Sequence, residues 1–356
     1  MYLAQNDHKE AGDRLRAWVN ALPKIDLHRH LEGTLQPETL LEIARAYGIE
    51  LPTEDLAELR PHVQMLGEPP GFERFLSKFQ FLRRFYVSRE VIQRIVREAI
   101  LDAAADHIFY LELRTNPLAL ARVQKVTFAE VVAWVVEAVQ AAQAETGVRT
   151  CLLLQIPREE PLAVAEEIVD VAIANFGPVV RGIDLAGNER RFPPQLFAGP
   201  FARAREAGLH ITVHAGEASG PESIWSALRV LGAQRIGHGI QAIADPALLA
   251  VLREKEIALE VCPTSNLTTG VVPAWTQHPL RALWNAGVHV TLNTDDPAIS
   301  ASTLADEYEA VMAYLNISRE DLCRMMEYAA QAAFVPPDER AWLLERVRKA
   351  EASYLD

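Results

Sequence analysis

Eight short β-rich runs, each followed by a longer amphipathic stretch, constrain this chain more than any other feature. They are Lys24–His30 (KIDLHRH), Ile108–Thr115 (IFYLELRT), Arg149–Ile156 (RTCLLLQI), Val180–Ala186 (VRGIDLA), His210–His214 (HITVH), Arg235–His238 (RIGH), Ile257–Cys262 (IALEVC) and Val288–Thr294 (VHVTLNT). Such alternation specifies parallel strands joined by helices. Eight repeats of it predict an α/β fold of the closed (β/α)8, or TIM, barrel type. Local punctuation agrees: Asp245-Pro246 reads as an N-cap followed by Pro at the first helical position, and Gly287 stands where a C-cap glycine would. Residues 1–356 are read as one domain, because α/β barrels reach this size as single units. Two regions exceed a plain barrel. Residues 51–94 are long and helical in texture, with Phe72, Phe75, Phe79 and Leu82 three or four apart. They read as an insertion after the first strand, either a core-facing stripe or a wall or lid over the barrel mouth. Beyond Thr294 the chain is mostly helical, which gives the last barrel helix plus added helices.

Composition narrows the partners. Asp and Glu outnumber Lys and Arg by 48 to 35, for a net charge of −13. Nucleic acid and anionic membrane are therefore not expected to bind through bulk charge. No apolar run is long enough to span a bilayer, and the N-terminal stretch is polar, with no secretory h-region. The three cysteines, Cys151, Cys262 and Cys323, form no CxxC and no even set, which suits a reducing, cytoplasmic setting.

Period-two alternation gives the strands two faces. Ile25 and Leu27 oppose Asp26, His28 and His30; Ile211 and Val213 oppose His210, Thr212 and His214; Val288, Val290 and Leu292 oppose His289, Thr291, Asn293 and Asp295. In a barrel the apolar faces pack on the helical ring. The polar faces converge towards the C-terminal mouth, where barrel active sites lie. An HxH pair alone is a weak metal signal. His214, His238 and Asp295-Asp296, each at the carboxyl end of its own strand, make a joint site much stronger. Imidazoles with a carboxylate favour zinc. The fourth strand, VRGIDLAGNE, holds no lysine that could be modified to bridge two metals, so one ion per chain is expected. One zinc with an open position brings the pKa of water towards about 7. Glu217 stands three residues past His214 and reads equally as a proton donor or as a helix cap. Asp296 reads as a substrate acceptor or as a cap for the helix at Pro297.

The stretches DLHRHLEGTLQPETL (26–40), YLELR (110–114), GIDLAGNE (182–189), HITVHAGEASGPESIW (210–225), RIGHGI (235–240) and NTDDP (293–297) run in a fixed order over nearly the whole chain. In this the chain resembles the adenosine deaminase family of the amidohydrolase superfamily, its bacterial branch above all. It lacks the paired H-x-E and P-C-x-x-C signature of the other zinc deaminases, since no P-C-x-x-C occurs. The resemblance implies a metal-dependent hydrolase of purine metabolism. It would convert adenosine and 2′-deoxyadenosine to inosine and deoxyinosine, with loss of ammonia. His28, His30, His214 and Asp295 match the zinc ligands. Glu217 matches the acid that protonates purine N1, and His238 the group that positions or deprotonates the hydroxide. Asp296 matches the group facing N7, Gly187 the glycine amide at N3, and Glu32 the carboxylate near the ribose 5′ end. Glu32 is longer than the Asp usual in adenosine-specific bacterial members, and Asn188 stands where Asp is common. Two alternatives stay open: the same chemistry on another 6-aminopurine such as aminodeoxyfutalosine or adenine, and a non-catalytic barrel kept for nucleoside binding or signalling. The sequence leaves monomer and homo-oligomer equally open.

Overall fold

A computed structural model describes residues 14–354. The first thirteen residues of the polar N-terminal stretch lie outside them. Eight strands pair in parallel in the order β1 to β8. They are β1 (Lys24–His30), β2 (Ile108–Thr115), β3 (Arg149–Pro157), β4 (Val180–Ala186), β5 (His210–Ala215), β6 (Arg235–His238), β7 (Ala258–Val261) and β8 (Val290–Leu292). The barrel closes between β8 and β1 through a bridge at Arg29 and Asp295, with Asp295 N donating to His28 O and His30 N to Asp295 O, both at 2.8 Å. Asn293 extends the seam by accepting Leu27 N through Oδ1 at 2.9 Å.

The apolar faces lie where alternation puts them. Ile25, Leu27, Ile211, Val213, Val290 and Leu292 are buried in one continuous hydrophobic core. Removing each from water contributes about 1.5–3 kcal/mol.

The opposite face of the sheet carries a ladder of buried charges through the barrel interior. At its base Arg235 pairs with Glu112, whose Oε1 also accepts Tyr110 Oη at 2.9 Å and Phe334 N at 2.7 Å. Arg235 Nε then reaches Glu260 Oε1 at 2.7 Å. Glu260 pairs with Arg114, which donates through Nε to Asp184 Oδ2 at 2.9 Å and through Nη1 to Leu27 O at 2.7 Å. Every buried charge in this stack has an opposite partner, as a dry interior demands.

Three details depart from strict alternation. β7 and β8 are shorter than the apolar runs suggest. β1 changes pairing register between Asp26 and Arg29, so Asp26 does not join His28 and His30. Its carboxylate instead binds Arg29 Nε at 3.1 Å and Thr294 Oγ1 at 2.7 Å at the barrel seam. His210 opens β5 and His289 immediately precedes β8; they stack on Phe334 and Tyr328, away from the mouth.

Between β1 and β2 run four α-helices, Pro37–Tyr47, Leu56–Val63, Phe72–Leu82 and Arg89–Ala105. The aromatic stripe divides: Phe75 and Leu82 are buried in the core, while Phe72 and Phe79, with one side of Phe75, line the cavity at the mouth. The C-terminal helices are Leu304–Leu315, Arg319–Ala332 and Pro337–Tyr354. No helix among the described residues is long and apolar enough to cross a membrane.

One carboxylate ties two mouth loops together. Buried Glu307 accepts Thr264 N at 3.0 Å, after β7, and Ser302 Oγ at 2.9 Å, after β8. Burial raises its pKa from 4.5 to about 7. The folded state therefore keeps a proton that the unfolded chain has lost between those values, and stability falls as pH rises through about 7. Glu307→Gln has no such proton to lose. Between about pH 5 and about pH 8, wild type should lose about 2–3 kcal/mol relative to this variant. Parallel urea-midpoint curves across that range would show the group is not titrating.

Candidate active site

Each side chain of the site stands at the end of a strand or one turn beyond. His28 and His30 close β1, His214 is the last residue but one of β5, and His238 ends β6 with φ of 58°. Asp295 follows β8 with φ of 62°. This left-handed turn carries it off the strand's alternation and into the seam with β1. Non-glycine residues in that region cost about 1–3 kcal/mol, and such strain concentrates at functional sites. Gly237 makes room for the rings: a β-carbon there would sit 3.0 Å from His28 Cε1 and 3.3 Å from His214 Nδ1.

Three Nε2 atoms and one carboxylate oxygen converge. His28 Nε2 lies 3.0 Å from His214 Nε2 and 3.3 Å from His30 Nε2, which is itself 3.2 Å from His214 Nε2. Asp295 Oδ1 lies 3.2 Å from Nε2 of both His28 and His30. Five of the six separations among the four residues are thus 3.0–3.3 Å, and all four offer a ligand atom within 4.8 Å of the others. Donors roughly 3.3 Å apart suit a shared ion at about 2.0–2.1 Å, the zinc–nitrogen bond length. The rings are oriented from behind. His28 Nδ1 meets Glu260 Oε2 at 2.9 Å, His214 Nδ1 meets Asp184 Oδ1 at 3.0 Å, and His30 Nδ1 meets Gln155 Oε1 at 2.8 Å. All three partners are acceptors, so each Nδ1 carries the hydrogen and each Nε2 turns a lone pair inward. Lone pairs that close together call for a cation between them. The local field agrees: burial works against protonating His30, yet Asp295 and Asp296 raise it to about 9. Cys262 comes near His238 and Asp295, but burial keeps it a thiol, and a thiol is no zinc ligand.

The cluster opens onto a cavity of about 540 Å³ that eight of the nine expected residues line; His28 alone sits behind it, fully buried. A larger cavity of about 790 Å³ lies on the outer flank beside Arg29 and Asp106 and touches none of them. Chemistry therefore favours the smaller one.

Glu217 does not cap a helix. Its loop is held by Glu189, which accepts the backbone N–H of Gly216, Glu217, Ala218 and Ser219 at 2.6–3.2 Å. Burial, with Asp295 and Glu189 nearby, pushes the Glu217 carboxyl well above its usual range. Its Oε2 lies 3.7 Å from His238 Nε2, and burial holds His238 neutral. Asp296 does not cap its helix through its side chain either. Its Oδ1 is buried without a hydrogen-bond partner, and burial beside Asp295 raises its pKa. Gly33 leaves space for it, since a β-carbon there would fall 1.8 Å from Asp296 Oδ1. Glu32 is buried and paired with Arg83 Nε at 3.1 Å. Asn188 Oδ1 accepts Arg191 N at 3.2 Å, a local turn bond.

The model of the family described as adenosine deaminase matches residues 23–350. The chain belongs to the adenosine deaminase family. It is thus a hydrolase acting on C–N bonds. Adenosine deaminase of Shigella flexneri serotype 5b is 39% identical over 326 residues, covering 92% of this chain and 98% of that protein. Among solved structures, adenine deaminase from Arthrobacter aurescens is 31% identical with a TM-score of 0.87, covering 93% of this chain and 100% of that one. An amidohydrolase from Burkholderia ambifaria with bound Zn is 27% identical with a TM-score of 0.86, covering 96% of this chain and 94% of that one.

Sequence reasoning missed Glu189, Asp184, Glu260, Gln155, Arg114 and Asn266. Three of them left a trace: Arg114, Asp184 and Glu260 are charges inside otherwise apolar strand runs, as barrel-interior positions would be.

Proposed function

We propose that this protein hydrolytically deaminates adenosine and 2′-deoxyadenosine, using one zinc ion per chain. The observation that carries the reading is the convergent set of three imidazole nitrogens and one carboxylate opening onto a cavity that also holds Glu217 and the unpartnered Asp296 Oδ1. His28, His30, His214 and Asp295 would hold the ion. When bound, it supplies a Lewis acid that lets water lose a proton near neutral pH. The bound Zn of the Burkholderia protein supports that metal, and the curated relatives at 39% identity support a nucleoside over the free base.

The chain's own groups meet the purine edge by edge. Glu217, held protonated by burial, gives its proton to N1 and drains electron density from C6. His238 positions the attacking oxygen or takes its proton. With C6 tetrahedral, the proton of the new C6 hydroxyl passes to N6, the C6–N6 bond breaks, C6–O becomes a carbonyl and ammonia leaves; the proton released by the incoming water restores Glu217. Asp296 carries a proton at its raised pKa and donates it in a hydrogen bond to N7. The Gly187 amide faces N3, and Glu32 accepts from the ribose 5′-hydroxyl. Phe72, Leu76 and Phe79, from the helical segment within 51–94, supply the apolar wall for the ring.

The test is ammonia release from a panel of adenosine, 2′-deoxyadenosine, adenine and aminodeoxyfutalosine, with metal content measured on the same sample. One zinc per chain and the highest kcat/KM on the two nucleosides are expected. Chelation should abolish turnover and zinc restore it. A preference for adenine above about 100-fold would overturn the substrate, and no ammonia from any of the four would overturn the reaction.

A further inference from the structure

His238 has two possible neutral tautomers, and the two roles open to it need different ones. A base must present a lone pair at Nε2, whereas a group that orients an oxygen nucleophile presents N–H there. A chain of contacts behind the ring decides between them. It starts at a group with no choice: the backbone N–H of Leu280 can only donate, and it donates to His278 Nδ1 at 3.1 Å. His278 is buried, and burial lowers its pKa to about 4, so the ring is neutral. With Nδ1 accepting, its hydrogen sits on Nε2, which lies 3.3 Å from Asn266 Oδ1. That fixes the Asn266 amide with its oxygen towards His278 and its NH2 towards His238, whose Nδ1 lies 3.3 Å from Asn266 Nδ2. An NH2 group has no lone pair to offer, so His238 Nδ1 accepts.

We infer that His278 and Asn266 are positioning residues that lock neutral His238 in its Nε2–H tautomer, so that its ring donates a hydrogen bond to the nucleophilic oxygen rather than removing its proton. On the far side of the ring, Nε2 faces Glu217 Oε2 at 3.7 Å and Asp295 Oδ2 at 4.0 Å; the Asp295 carboxylate can only accept, which favours a hydrogen on the ring atom facing it. His278 lies between β7 and β8, just before the helix Leu280–Asn285, and acts only through Asn266. The inference deepens the deaminase reading by selecting one of two roles for His238, yet the tautomer itself is independent of the substrate.

The decisive variant is Asn266→Asp. Aspartate is close in shape but only accepts, so it still takes the His278 hydrogen and forces His238 to donate from Nδ1. Nitrogen-15 spectra of histidine-labelled, zinc-loaded protein read the tautomer, with His238 assigned by its loss in His238→Asn. Wild type is expected to show a hydrogen on Nε2, and Asn266→Asp to move it to Nδ1. Turnover of adenosine by Asn266→Asp should fall by about 10²-fold or more in kcat with KM within about threefold, since a wrong tautomer can cost up to about 10⁴-fold. His278→Gln keeps a donor at the Nε2 position and should retain most of kcat, whereas His278→Leu should not. A wild-type spectrum with the hydrogen on Nδ1, or an Asn266→Asp protein with unchanged kcat, would overturn the relay. Failure of wild type on adenosine would count against the substrate alone, because the spectra read the relay without it.

Discussion

Glu217→Gln should lower kcat by about 10²–10⁴-fold, the usual worth of general acid catalysis, while zinc content stays at that of wild type. Glutamine matches the size of the carboxylic acid and still offers an N–H towards purine N1, so ground-state binding and KM should change little. What it cannot do is transfer a proton. Glu217 is suited to that task because burial, with Asp295 and Glu189 nearby, disfavours its charged form. The substitution should leave the loop in place, since Glu189 rather than Glu217 holds residues 216–219. Glu217 does not belong to the convergent cluster of His28, His30, His214 and Asp295. Steady-state ammonia release with zinc analysis on the same sample decides the matter. Turnover within about threefold of wild type would remove Glu217 as the acid, and a parallel loss of zinc would make it a ligand or a support.

Much of this site was legible because barrel strands obey simple periodicity. The HxH spacing puts His28 and His30 on one side of β1, and His214 and His238 come within one residue of the carboxyl ends of their strands. The less legible parts depend on groups that alternation does not describe. Asp295 reaches the cluster through a left-handed turn, so its place on the polar face of the run is right in outcome but not in cause. Asp26 looked like a third polar residue beside the HxH pair, yet a register change turns it to Arg29 and Thr294. Glu189 reads as an ordinary residue after β4 until the loop after β5 folds over it. The His278–Asn266 relay depends on which atom of a ring or amide carries hydrogen, and only the contact from Leu280 N settles that.

The largest stability effect should come from a residue that never meets substrate. Arg114 is fully buried and binds Glu260, Asp184 and Leu27 O at once. Replacing it by Leu leaves Asp184 without its guanidinium and Glu260 with Arg235 alone, and breaking a buried pair from one side costs about 3–5 kcal/mol. The same carboxylates hold the Nδ1 hydrogens of His28 and His214. Burial tends to protonate Asp184 and Glu260, but His214 and Arg114 hold Asp184 well below its usual range, while Arg114 and Arg235 do so for Glu260. In Arg114→Leu that balance shifts towards the protonated acids, which orient imidazoles poorly. Zinc affinity should therefore fall by about 10–100-fold, the usual cost of losing such support. Urea unfolding of zinc-free protein measures the first effect and competition with a chelator the second. Adding Asp184→Asn to Arg114→Leu removes one orphaned charge, so it should recover part of the stability without recovering zinc affinity. If the single variant unfolds within about 1 kcal/mol of wild type, the interior ladder is not held together by its charges. If stability falls but zinc affinity does not, the carboxylates orient the histidines without help from Arg114.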